Sequence, residues 1–150
     1  MMKPRLTLIS LALCATSSWA QPSPTSAAAN PSVACPHADA MDHRQLQGTW
    51  LAKISGRSPD TVLRLGPHPE FSESVRGTLQ RGKASAQVAG DVDGGTFTLE
   101  ESDDGTRISA SWTGQVVAGS CGKEIQGTWT PTEAAERKFP FVMRKQGGWQ

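Results

Sequence analysis

From Gln47 to Lys145 the chain alternates apolar and polar residues at a period of two, in short runs cut off by glycine, proline and aspartate. A half-buried β-strand requires that pattern, because successive side chains point to opposite faces of the sheet. The runs fall at residues 48–54, 61–65, 74–79, 84–90, 96–100, 107–113, 124–129 and 139–145. Asp93-Gly94-Gly95 and Asp103-Asp104-Gly105 read as tight hairpin turns, since glycine and aspartate tolerate positive φ. No segment between runs is long enough for a crossover helix, which excludes parallel βαβ units. The fold expected is all-β: an eight-stranded antiparallel meander. Closure into a barrel removes exposed strand edges and is preferred over an open sandwich.

The first twenty residues follow different rules. Lys3 and Arg5 precede an apolar run from Leu6 to Ala15, and Ser18-Trp19-Ala20 puts small residues where a signal peptidase cuts. A membrane-spanning helix needs about 20 apolar residues, so residues 1–20 read as a cleavable signal peptide and not as a span. Export to the periplasm or the medium is therefore expected. Leu11-Ala12-Leu13-Cys14 is similar to a bacterial lipoprotein box, which keeps a lipid anchor through Cys14 open as the alternative. Residues 21–36, with Pro22, Pro24, Pro31 and Pro36 among Ser, Ala and Thr, have little to bury and read as a disordered linker. Residues 37–150 form the expected barrel domain, led in by a turn or two of helix up to Leu46.

Loss of residues 1–20 removes Lys3 and Arg5 and no acidic residue, taking the formal charge from +1 to −1. So even a balance carries no electrostatic footprint for nucleic acid or an anionic membrane surface. Two cysteines then remain, Cys35 and Cys121. In an oxidising compartment a lone distant pair reads as one disulfide, the alternative being two free buried thiols.

Gly48-Thr49-Trp50, after a short helical lead-in, is similar to the Gly-x-Trp opening of the calycin barrels, the group of lipocalins, fatty-acid binders and avidins. The resemblance implies a basic residue on the last strand packed across Trp50, and Arg144 and Lys145 are the two candidates. Ser111-Trp112-Thr113-Gly114-Gln115 and Gly122-Lys123-Glu124 leading to Thr128-Trp129 resemble the sixth and seventh strands of avidins. Biotin recognition does not carry over: the chain has no tyrosine, and 141–144 offers no aspartate.

Trp50, Trp112 and Trp129, with Phe97, are the candidate ligand-binding residues. Their strands also direct Gly48, Ala52, Ala84, Ala86, Ala110 and Gly127 inward, and small residues beside flat rings either leave room for a guest or are filled by those rings. His37, Asp39, Asp42 and His43 are the nearest approach to a metal cluster, with Asp39 and His43 at i and i+4 of a helix; no further ligand joins them, and a solvated cap is the reading. Asp91-Val92-Asp93-Gly94 starts like a calcium loop without its closing glutamate. No catalytic residues, metal or cofactor are expected: no Gly-x-Ser-x-Gly elbow is present, and adjacent pairs such as Glu100-Glu101 diverge on a strand. The sequence thus points to an exported, non-enzymatic barrel that binds a small apolar or aromatic ligand. The alternatives are a protein-binding module, such as an inhibitor of a secreted hydrolase, and a structural envelope component.

Overall fold

Eight strands follow one another as consecutive hairpins: β1 (Gly48–Ile54), β2 (Thr61–Pro67), β3 (Val75–Arg81), β4 (Ala84–Asp93), β5 (Thr96–Ser102), β6 (Ala110–Val116), β7 (Glu124–Pro131) and β8 (Phe139–Lys145). Every neighbouring pair is antiparallel, and β8 pairs back onto β1, so the meander is a closed barrel. This computed structural model describes residues 35–147. The expected signal peptide with Cys14, the expected linker up to residue 34, and Trp149 lie outside the described residues.

Turn chemistry sets the register of the best-defined hairpin. Asp93 faces Thr96, leaving Gly94 and Gly95 as a two-residue connection with φ of 53° and 81°. Positive φ at both positions matches the right-handed strand twist and is cheap only for residues such as glycine. Inside the barrel, Gly114 and Gly127 face each other across β6 and β7. A Cβ on Gly127 would stand 2.0 Å from the Thr113 carbonyl oxygen, and one on Gly114 would stand 3.2 Å from the Phe141 ring. Two bare backbones side by side therefore give the Phe141 ring its place.

The interior is filled from one end. Trp50, Phe97, Trp112, Phe141 and Met143 are buried, and Phe141 meets Trp112 edge-on at 4.9 Å and Phe97 at 6.3 Å between centroids. That end is sealed by the lead-in, which differs from the single short helix expected over 37–46. Met41 is extended and splits it into a 3-10 turn, Ala38–Ala40, and a second helical start, α1 (His43–Leu46). Asp42 caps α1: its carboxylate accepts the N–H groups of Arg44 and Gln45, while the Gln45 side chain accepts the N–H of Asp42. The split puts Asp39 and His43 on different elements, so the i, i+4 pairing that a continuous helix would create does not form. Leu46 and Met41 close the barrel end, and Met41 packs on Gly122. Cys35 and Cys121 are joined by a disulfide across 86 residues of sequence, fastening the lead-in to the β6–β7 loop.

Trp50 is fixed at this sealed end. Its indole N–H donates to the Leu46 carbonyl at 2.8 Å, and the Lys145 ammonium lies 5.6 Å from its ring centroid while donating to the Gln45 carbonyl. Lys145 thus takes the position that the calycin resemblance left open between two residues. Arg144 points outward and pairs with Glu124 at 2.8 Å. The β1–β8 ladder runs without a break from Trp50–Lys145 to Ile54–Phe141, so strict alternation makes the choice. Burial, and secondarily the charge of Lys123, pushes the Lys145 ammonium below its ordinary range. The barrel and its sealed end are consistent with a calycin-like layout.

One strand begins later than the alternation suggests. β6 starts at Ala110, and Ile108, expected to face inward, stands 46% exposed in the β5–β6 loop. Asp104 is the reason: its carboxylate accepts the N–H groups of Thr106 and Arg107 and the Arg107 side chain. These bonds close a wide loop where a tight Asp-Asp-Gly turn was expected.

Candidate functional site

The barrel end opposite α1 is open. Its rim consists of the loops after β1, β3, β5 and β7, and between them lies a cavity of about 710 Å³. Leu79, Ala84, Ala86 and Ala110 supply apolar lining, Trp129 a flat aromatic wall, and Glu101 and Arg81 the polar part.

Glu101 is the centre of this end. Period-two alternation along β5 sends Phe97, Leu99 and Glu101 inward, and the glutamate is only 3% exposed. Its Oε2 accepts the indole N–H of Trp129 at 3.0 Å and that of Trp112 at 3.2 Å. Arg81, inward on β3 by the same alternation, approaches both carboxylate oxygens at 3.4 Å and donates to Thr61 Oγ1 at 2.9 Å. A buried charge is tolerable only when paired and hydrogen-bonded, and here every member of the network holds another. The consequence for the site is rigidity: Trp129, only 4% exposed, is pinned by its edge in the cavity wall.

Two guanidinium groups lie against the Trp129 ring. The Arg57 carbon lies 4.2 Å from the Trp129 centroid and 5.1 Å from that of Phe139; the Arg81 carbon lies 5.2 Å from Trp129. On the rim, the N–H groups of Arg107 and Thr106, with the Arg107 side chain, hold the Asp104 carboxyl well below the usual carboxylate range. No histidine or cysteine is among the described residues lining the cavity.

The structure separates the four expected ligand residues. Trp129 lines the cavity. Trp112 lies below it, fully buried and connected to it through Glu101. Trp50 and Phe97 are packed in the interior and do not line it. Among the described residues no three His, Cys, Asp or Glu side chains converge as metal ligands. Asp91 lies in β4 and accepts the Thr98 hydroxyl at 2.8 Å, which accounts for it as part of a strand.

Arg57, Arg81, Thr61 and Glu101 were absent from the sequence reading of the site. For Arg81 and Glu101 a signal existed: each continues the inward phase of its strand, Leu79 to Arg81 and Leu99 to Glu101. Glu100 and Glu101 do diverge on the strand, as expected, and it is Glu101 that the inward phase buries. Arg57 sits in a loop, where no periodicity locates a side chain. No family model and no curated protein matches the chain.

Proposed function

We propose that this protein binds a small apolar or aromatic molecule at the open end of its barrel, outside the cytoplasm. The observation that carries the reading is the cavity itself, whose volume falls within the range of about 300–1,000 Å³ usual for small-ligand sites. Leu79 and several alanines beside the pinned Trp129 indole suit an apolar guest. The Cys35–Cys121 disulfide, a feature of oxidising environments, supports that compartment, as do the signal-like residues 1–20. Release to the periplasm or medium is the reading adopted, with a lipid anchor through Cys14 as the alternative. The role is binding, without catalysis.

The test is a screen of biotin-like, aromatic and lipid compounds against the protein, read by tryptophan emission and by thermal shift. A bound guest changes the surroundings of Trp129 in the cavity wall and with them its emission. The reading fails if no compound moves either signal. A protein-binding role has one observation in its favour: Phe71, in the β2–β3 loop at the sealed end, is 61% exposed, with its ring 4.7 Å from that of His68. Capture of a partner from the secreted fraction that is lost in Phe71→Ser would support that role.

A further inference from the structure

The arginines lining the cavity differ in what they already hold. Arg81 is taken up by Glu101 and Thr61, and Arg107 by Asp104. The Arg57 guanidinium lies over the Trp129 and Phe139 rings, and among the described residues it makes no side-chain hydrogen bond and no ion pair. Its planar fork is therefore positioned at the cavity with its donors free. A surface arginine normally loses much rotamer freedom when it grips a ligand; here stacking on two rings has already removed part of that cost.

We propose that Arg57 is the anion receptor of this site, and that the ligand class is a flat apolar molecule bearing a carboxylate. The inference rests on the binding reading above and gives the guest its polar end and its orientation. At the inner part of the cavity Arg81 is already paired with Glu101, so that depth offers a carboxylate no free cation. The apolar part of the guest therefore goes inward, among Leu79, Ala86 and Ala110, and the carboxylate stays at the rim against Arg57. A guanidinium meets a carboxylate through two parallel N–H···O bonds, a geometry an ammonium cannot reproduce.

The experiment uses matched pairs that differ only in charge: benzoate and benzamide, 2-naphthoate and 2-naphthamide, indole-3-acetate and indole-3-acetamide. Each is titrated into the wild-type chain, Arg57→Gln and Arg57→Lys, with tryptophan emission and calorimetry as readouts. The acid of at least one pair is expected to bind about ten-fold more tightly than its amide, the gain of a charge-assisted bond pair. Arg57→Gln should erase that preference and Arg57→Lys should retain only part of it. If acids and amides bind equally, or the preference survives Arg57→Gln, the anion role is overturned while the cavity reading stands. If no member of any pair binds, both fall. The acid–amide comparison in the wild type needs no variant, so a poorly folded mutant does not obscure the result.

Discussion

Trp112 and Trp129 stand opposite each other on β6 and β7 and give their indole N–H groups to the same oxygen, Oε2 of Glu101, at 3.2 and 3.0 Å. One carboxylate thereby ties the packed interior of the barrel to the wall of its open end. Arg81 completes the arrangement from β3.

Removing the carboxylate should cost more than any single hydrogen bond. Glu101→Ala leaves Arg81 with a partly buried, uncompensated charge and two buried indole donors without acceptors, a loss of about 3 kcal/mol or more. The double variant Glu101→Leu/Arg81→Met removes both charges together. Its loss in urea unfolding should fall well short of the two single losses added, because the residues act as a unit. Additive losses would show that the pair is not coupled.

The two tryptophans should separate in their effects. Trp129→Leu is expected to abolish the ligand-dependent change in emission while the barrel remains folded. Trp112→Leu empties a fully buried site and should destabilise by several kcal/mol, in the range of about 3–5 for large aromatic truncations. Circular dichroism and thermal unfolding, beside the binding titration, distinguish a lost wall from a lost core.

Asp42 gives the lead-in a dependence on pH. Burial alone would raise its carboxyl, but the backbone N–H groups of Arg44 and Gln45 outweigh that and hold it below its ordinary 3.8. A depressed carboxyl contributes stability that is present above the unfolded value and is lost as the pH falls through the lower folded one. Asp42→Asn keeps a capping oxygen and should flatten this part of the acid limb. Asp42→Ala should cost about 1 kcal/mol at neutral pH. Urea midpoints across the acid range check both.

Lys145 and Arg144 are adjacent and should behave differently. Lys145→Met removes a partly buried cation from Trp50 and a donor from the Gln45 carbonyl, for a loss of about 1 kcal/mol. Arg144→Met breaks an exposed pair with Glu124 and should change stability by at most about 1 kcal/mol, and less in high salt. Thermal unfolding of the two variants at low and high salt reads the contrast.

Reduction of the Cys35–Cys121 bond reopens a long loop in the unfolded chain. Cys35→Ser, or the wild type under reductant, should lose roughly 2–5 kcal/mol. Mass mapping without reduction provides the direct check: two free thiols would contradict the link.

Period-two alternation and glycine turns were enough to specify eight antiparallel strands, because side-chain direction on a strand follows from position alone. The same arithmetic turned Phe141 and Met143 inward but left Arg144 and Lys145 both open, and the unbroken β1–β8 ladder gave Trp50 to Lys145. What alternation cannot express is how far along the barrel axis each inward residue sits. Strand register and barrel closure decide that, and they sent Trp50 and Phe97 into the packed interior while leaving Trp129 at the mouth. They also brought Glu101, Arg81 and Thr61 together from β5, β3 and β2, residues separated by 20 positions or more. Arg57 was placed on Trp129 by a loop, whose course is set by the strands it joins and not by any pattern of its own. The fold was therefore written locally, in side-chain period and turn chemistry. The site exists only where distant strands, once closed into a ring, aim their ends at one space.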